Sequence, residues 1–343
     1  MSLLEFKPEG IYCEAGDFYI DPWKPVKKAI ITHAHSDHAR WGMGFYFAHK
    51  HSVPVLYYRL GANIYVEGWG FNDIHSFNGV KVSLHPAGHI IGSAQVRVEY
   101  KGEIWVVSGD YKTGIDNVSV EFEPVKCHTF ITESTFGLPI YQWKDQSEVF
   151  DEINNWWREN QSRGRASILC GYSLGKAQRL LQNIDHSIGN VYSHGAIENI
   201  NTVLRNAGFP LKPSQKVNSD IPKEELQKSL ILAPPSAIQS PWIQRFYPYS
   251  SAFASGWMLI RGNRRRSALD RGFALSDHAG WNELNDVIKE TGAENIYVTH
   301  GYTQVFSQWL REQGYWSEPV KTGFKGEVVE ADELTSGNAE EEK

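Results

Sequence analysis

The run His33-Ala34-His35-Ser36-Asp37-His38 constrains this chain more than any other feature. Three imidazoles and a carboxylate in six positions form a metal-binding pattern, because packing has no use for so many donors so close together. Their nitrogen and oxygen atoms suit zinc. The preceding segment, residues 26–32, carries Ala29, Ile30 and Ile31 and reads as a buried strand. The donors are therefore expected on a loop at a strand's end, where α/β folds place their chemistry.

Further donors follow the same rule. Val80 to Leu84 alternates as a strand does and leads to Pro86-Ala87-Gly88-His89. Residues 94–100 alternate again, a Lys101-Gly102 turn follows, and Ile104-Trp105-Val106-Val107 runs into Ser108-Gly109-Asp110. Asn295 to Thr299 reads as a strand that ends at His300-Gly301. Each donor closes an apolar strand beside a glycine, which lets neighbouring backbone approach.

This series resembles the ligand set of the metallo-β-lactamase fold in its two-metal hydrolase form. The resemblance implies one metal on His33, His35 and His89, a second on Asp37, His38 and His300, and Asp110 bridging them. It assigns Asp21, at the end of Phe18-Tyr19-Ile20, to support of the histidine loop from behind. Two more motifs resemble the β-CASP nuclease branch: Glu133-Ser134-Thr135 after a strand, and Ser276-Asp277-His278 where the chain returns from an insertion. Residues 12–23, Glu133 to Ile140 and Ser276 to His278 are similar to the bacterial ligase-associated DNA exonuclease group. The likeness runs from about Phe6 to Phe324.

The fold this implies is α/β: a metallo-β-lactamase αββα sandwich, split as residues 1–141 and 264–330. An α/β β-CASP domain would be inserted at 142–263, and 331–343 would form a disordered acidic tail. In the insert, Ser147 to Asn160 reads as a helix capped by Ser147, with Val149, Phe150, Ile153, Trp156 and Trp157 on one apolar face. Gly171 to Leu181 reads as a loop entering a helix, where Ser173 and Lys176 are candidate phosphate contacts. Arg265, in the cluster Arg261, Arg264, Arg265, Arg266 and Arg271, and Ser276 join them as candidates.

The expected function is a phosphodiesterase on nucleic acid that uses two divalent ions, zinc first and manganese second. A DNA exonuclease acting in repair on single-stranded or frayed ends is the leading reading. Asp37, Asp110, Glu133 and His278 carry the catalysis, and by resemblance His278 protonates the leaving oxygen. An RNA-processing nuclease is the alternative, favoured by His300. A hydrolase of small thioesters or lactams would need neither Glu133, His278 nor an insert, and the intact ligand set argues against a dead binding subunit. DNA ligase or helicase partners follow from the resemblance alone.

Net charge is −6, which runs against nucleic-acid binding until the tail is separated: residues 331–343 hold five acids and one lysine, −4 in all, leaving −2. The cysteines Cys13, Cys127 and Cys170 are three and far apart, which argues against a disulfide framework and for a reducing cytoplasm. No apolar run reaches membrane-spanning length.

Overall fold

The computed structural model describes residues 2–260 and 269–320, which divide into two compact units. The first takes residues 2–142 and 278–320, and the second takes 143–260 and 269–277.

The first unit opens with a six-stranded sheet in chain order: β1 (Glu5–Lys7), β2 (Gly10–Cys13), β3 (Phe18–Ile20), β4 (Lys28–Ile31), β5 (Phe45–His49) and β6 (Val66–Trp69). Pairing is antiparallel through β3 and parallel from β3 to β6. An antiparallel meander follows, of β7 (His75–Phe77), β8 (Val80–Pro86), β9 (Ala94–Tyr100) and β10 (Glu103–Val107), and β11 (Thr129–Glu133) joins β10 in parallel. The alternation read in the sequence fixes register here: Val82 faces Val98, Leu84 faces Val96, and all four are buried.

The second unit holds a six-stranded sheet, parallel throughout. Its strands are β12 (Ala166–Cys170), β13 (Val191–Ser193), β14 (Gln215–Lys216), β15 (Leu230–Ala233), β16 (Tyr249–Ala254) and β17 (Arg271–Phe273), in the order β14-β13-β15-β12-β16-β17. A parallel sheet needs apolar cover, and the helix Gln146–Ser162 supplies some of it: Val149, Phe150, Ile153, Trp156 and Trp157 are buried in one cluster with Leu169, Leu230 and Leu232. The helix cap differs from the expectation. Asp145, not Ser147, sits at the N-cap, and its carboxylate accepts from Ser147 N–H at 2.8 Å. The return point also differs. Arg271–Phe273 pairs with β16 as an edge strand, so the second unit runs on to residue 277 instead of ending at 263.

Back in the first unit, β18 (Asn295–Thr299) and β19 (Trp316–Pro319) extend the second sheet to the order β19-β18-β11-β10-β9-β8-β7. Ile11, Phe18, Ile20 and Ile30 of the first sheet share one buried cluster with Val82, Val96, Val98 and Ile131 of the second. Val106, Phe130, Ile296 and Val298 pack instead with Leu284, Val287, Ile288, Phe306 and Leu310 from the helices Trp281–Thr291 and Thr303–Glu312. Each cysteine is buried and unbridged. Among the described residues, no helix is long and apolar enough to cross a membrane. Arg261, Arg264, Arg265, Arg266 and the acidic tail lie outside the described residues.

Candidate metal centre

All seven expected metal donors lie in the first unit, each just beyond the carboxyl end of a strand or within the loop that follows. The histidine loop leaves β4 at Thr32. Its start is pinned to the second sheet by Ala94 N–H donating to Thr32 O at 2.8 Å. Gly109 is required beside it. With φ at +58°, a Cβ there would lie 2.7 Å from Thr32 Cβ, so no side chain fits between the His loop and Asp110. Gly301 serves the same purpose after His300, where a Cβ would lie 2.3 Å from Ser134 O.

Two donor groups result. In the first, His35 Nδ1 lies 3.1 Å from both His33 Nε2 and His89 Nε2, and Asp110 Oδ2 lies 3.4 Å from His33 Nε2 and 3.9 Å from His89 Nε2. Four ligands at zinc–nitrogen distances of about 2.0–2.1 Å would sit about 3.3 Å apart at tetrahedral corners. The second group is Asp37, His38 and His300. His38 Nε2 lies 3.7 Å from Asp37 Oδ2 and 3.4 Å from Asp110 Oδ2, so Asp110 approaches both groups. Asp110 is 5% exposed, and its Oδ1 is buried without a hydrogen bond. A buried carboxylate with Oδ1 undonated and Oδ2 at 3.4 Å from two imidazole nitrogens fits bound cations.

Residues behind the ligands set which ring nitrogen faces inward. Asp21 is 2% exposed and accepts three bonds: Thr32 N–H at 2.8 Å, Thr32 Oγ1–H at 2.6 Å and His38 Nδ1–H at 2.7 Å. This holds His38 with Nε2 inward, which is how supporting carboxylates orient metal-binding histidines. Thr32 Oγ1 lies 3.1 Å from His33 Nδ1, and Thr299 Oγ1 lies 3.0 Å from His300 Nδ1. Asp21 and His300 both adopt left-handed backbone, with φ of 43° and 54°. Such residues cost about 1–3 kcal/mol each and cluster at working sites. Ser134 Oγ–H, donating to the carbonyls of Thr299 and His300, helps hold the turn.

Charge is distributed unevenly. Burial, then the neighbouring His38, pushes His33 well below the ordinary imidazole range. His38 feels burial too, but Asp110, Asp37 and Asp21 together hold it well above that range. Burial lowers His300 to about 4. For Asp110, burial raises and His38 lowers, and the carboxyl ends well below its usual range.

Glu133 and His278 stand beside this cluster. His278 Nδ1 lies 2.9 and 3.1 Å from the two carboxylate oxygens of Glu133, whose Oε1 also accepts Tyr111 N–H at 2.7 Å. Both residues are buried, and burial raises the Glu133 pKa. With Asp110, the pair meets the distances of a third metal-binding group. The Glu133 carboxylate, however, is already committed to two donors, which suits an orienter of His278 better than a ligand.

The candidate phosphate contacts fare differently. Lys176 is 1% exposed; its ammonium lies 2.8 Å from Asp277 Oδ1 and donates to Leu275 O at 2.6 Å. That buried pair corrects the expectation, because the lysine is a structural cation of the second unit. Ser276 is buried, its carbonyl accepting from Arg179. Ser173 is partly exposed, its carbonyl accepting from Gln178 Nε2 at 3.0 Å. Arg265 lies outside the described residues. Sequence reasoning missed Thr32, Thr299 and Tyr111. The first two are marked only by standing directly before a ligand histidine, and Tyr111 acts through its backbone.

No family model matches the chain. It is 27% identical over 308 residues to a probable DNA ligase of Opitutus terrae, covering 89% of this chain and 30% of that protein. It is 26% identical over 176 residues to cleavage and polyadenylation specificity factor 73 of Drosophila melanogaster, covering 48% and 25%. Over 118 residues it is 30% identical to endoribonuclease YSH1 of Saccharomyces cerevisiae, covering 33% and 15%. The chain thus spans less than a third of the length of these curated relatives. A crystal structure of a protein of unknown function from Enterococcus faecalis matches with a TM-score of 0.57 at 12% identity, covering 86% of this chain and 79% of that one, which speaks to fold alone. Set beside the ligand geometry, the three sequence likenesses support a β-CASP nuclease branch with a ligase-associated link.

Proposed function

We propose that this protein is a two-metal phosphodiesterase acting on nucleic acid, in the αββα-sandwich form with a β-CASP insertion. The observation that carries the reading is Asp110, which stands within 3.4 Å of both His33 and His38 and so can serve two donor groups at once. His33, His35 and His89 would hold one divalent ion, Asp37, His38 and His300 the other, and zinc suits this donor set better than manganese. Bound there, such ions polarise a phosphoryl oxygen and lower the pKa of water.

The protein's own residues supply the rest. Asp21 and Thr32 keep the ligand rings aimed inward. Glu133 fixes His278 through Nδ1, which leaves Nε2 to carry a proton to the departing oxygen.

DNA is the favoured polymer, in an exonuclease role in repair, because the ligase-named relative covers most of this chain. The RNA reading is supported by His300 and by the endoribonuclease names of the shorter matches. Attack by water does not use a 2′-hydroxyl, so the donor groups are indifferent to it and discrimination belongs to residues touching the sugar. Matched end-labelled DNA and RNA strands, linear and circular, digested with zinc or manganese, test the assignment. Stepwise products from linear single-stranded DNA are expected. Equal cutting of circles, or much faster loss of RNA, overturns the exonuclease or the DNA assignment respectively.

A further inference from the structure

In the second unit, the helix Gly195–Asn206 starts directly after β13, with His194 at its N-cap. His194 Nδ1 accepts Ala196 N–H at 3.1 Å, and His194 O accepts the amides of Ile197 and Glu198 at 3.0 Å. Gly195 N–H, the first donor of the helix, has no acceptor among the described residues. Lys216 stands beside it: a Cβ built on Gly195 would lie 3.5 Å from the ammonium nitrogen. No carboxylate among the described residues forms an ion pair with Lys216. The nearest acid of that first turn, Glu198, is taken by Arg205 at 2.6 Å and Ser214 at 2.6 Å. A helix N-terminus is already electropositive, so a lysine there without a counter-charge is an arrangement that an anion would complete.

A second observation is independent of the helix. Ser193 is fully buried, and its hydroxyl has no hydrogen-bond partner. It is the register partner of Lys216 in the parallel β13–β14 ladder, so both side chains leave the sheet on the same face. Val191, on that face two residues earlier, shares an apolar cluster with Ile197 of the helix. The orphan hydroxyl therefore points to the side on which Lys216 reaches Gly195. Because His194 uses Nδ1 as acceptor, its proton sits on Nε2, a further donor. Burial and then the Lys216 charge hold this imidazole below its ordinary range, in keeping with a neutral ring. Trp242 stands edge-on to His194 at 4.8 Å between ring centroids.

We propose that Gly195 N–H, Lys216, Ser193 and His194 form a phosphate-binding site at the carboxyl end of β13 and β14, built from none of the metal-donor residues. One amide, one ammonium, one hydroxyl and one imidazole N–H match the several acceptor oxygens of a phosphate group, carried either by a nucleic-acid strand or by a mononucleotide. Carboxyl ends of parallel strands are where such sheets bind ligands. The inference does not rest on the reaction assigned to the first unit.

The test is amide NMR on the full, metal-loaded chain. Inorganic phosphate should move the Gly195 and Ala196 amide signals saturably, whereas chloride at matched ionic strength should not. Lys216→Met, at an exposed position, should weaken that response about tenfold, the loss expected for one charge-assisted bond. Ser193→Ala should weaken it less, and the metal content of both variants should equal that of the wild type. Thymidine monophosphate and a 5′-phosphorylated oligothymidylate then separate the sources: the tighter of the two at Gly195 names the carrier. Unmoved Gly195 and Ala196 signals, an equal response to chloride, or a Lys216→Met response like the wild type would overturn the site.

Discussion

Two buried charged clusters in this molecule differ in what they lack. In the first unit, Asp110 lies among His33, His38 and His89 with one carboxylate oxygen undonated, and burial pushes His33 and the nearby His300 toward neutrality. In the second, Asp277 lies 2.8 Å from both Lys176 and Arg179, and Arg179 also donates to Ser276 O and pairs with Gln146. One cluster has too few cations of its own; the other is satisfied by side chains. A buried carboxylate is costly in either place, so the first points to ligands and the second to architecture. Lys176 shows the risk of reading charge without its partner, since a lysine opening a helix after a glycine-bearing loop looks like a phosphate contact until Asp277 is placed.

Predictions follow that contrast. Asp110→Ala should abolish turnover and lower metal content while leaving the second unit's fold intact, read by activity, elemental analysis and hydrogen exchange. Full activity in this variant would erase the distinction between the clusters. His278→Ala should keep metal content and lose about 10²–10⁴-fold on ordinary phosphodiesters. A nitrophenyl phosphodiester should be largely spared, because its leaving group needs no proton; equal loss on both substrates would assign His278 to structure.

Asp277→Ala should destabilise the second unit by about 3–5 kcal/mol, the cost of leaving buried cations unpaired, seen as a lower denaturant midpoint with metal content retained. Asp21→Ala should cost about 10–100-fold in metal affinity, concentrated on the group containing His38, with little effect on the second unit's stability.

Acid probes a third region, apart from both clusters. His49 is buried against Phe71, with ring centroids 3.7 Å apart, and burial, then His51, lowers it to about 3. The unfolded chain takes up this proton near the ordinary value of about 6.5, and the folded chain resists it. Stability is therefore fully present above about pH 6.5 and is lost progressively as pH falls toward 3. His49→Phe should flatten that slope in melting experiments between pH 4 and 7, values taken from about the same window; an unchanged slope would move the acid sensitivity elsewhere.

Much of the site is legible in the sequence because each donor sits where an apolar strand runs out, and strand ends can be read from alternation and glycine. His33, His35, Asp37, His38, His89, Asp110 and His300 all carry that local mark. The supporting bonds are less legible: Asp21 to Thr32 joins two strand ends, and Tyr111 contributes only a backbone N–H. The extension of the second unit to residue 277 is not legible in the sequence, because Arg271–Phe273 is a three-residue edge strand, too short to show a period. The cap at Asp145 lies two residues before Ser147, the usual ambiguity where Asp and Ser both stand at a helix start.

The central claim is that the imidazole–carboxylate cluster is completed by two ions sharing Asp110. Elemental analysis of active protein, paired with the same measurement on Asp110→Ala and His300→Ala, tests it most directly. The account predicts two equivalents of divalent metal in the wild type, a loss from both groups on removing Asp110, and loss of about one equivalent on removing His300. Fully active wild-type protein holding one equivalent or none would contradict it.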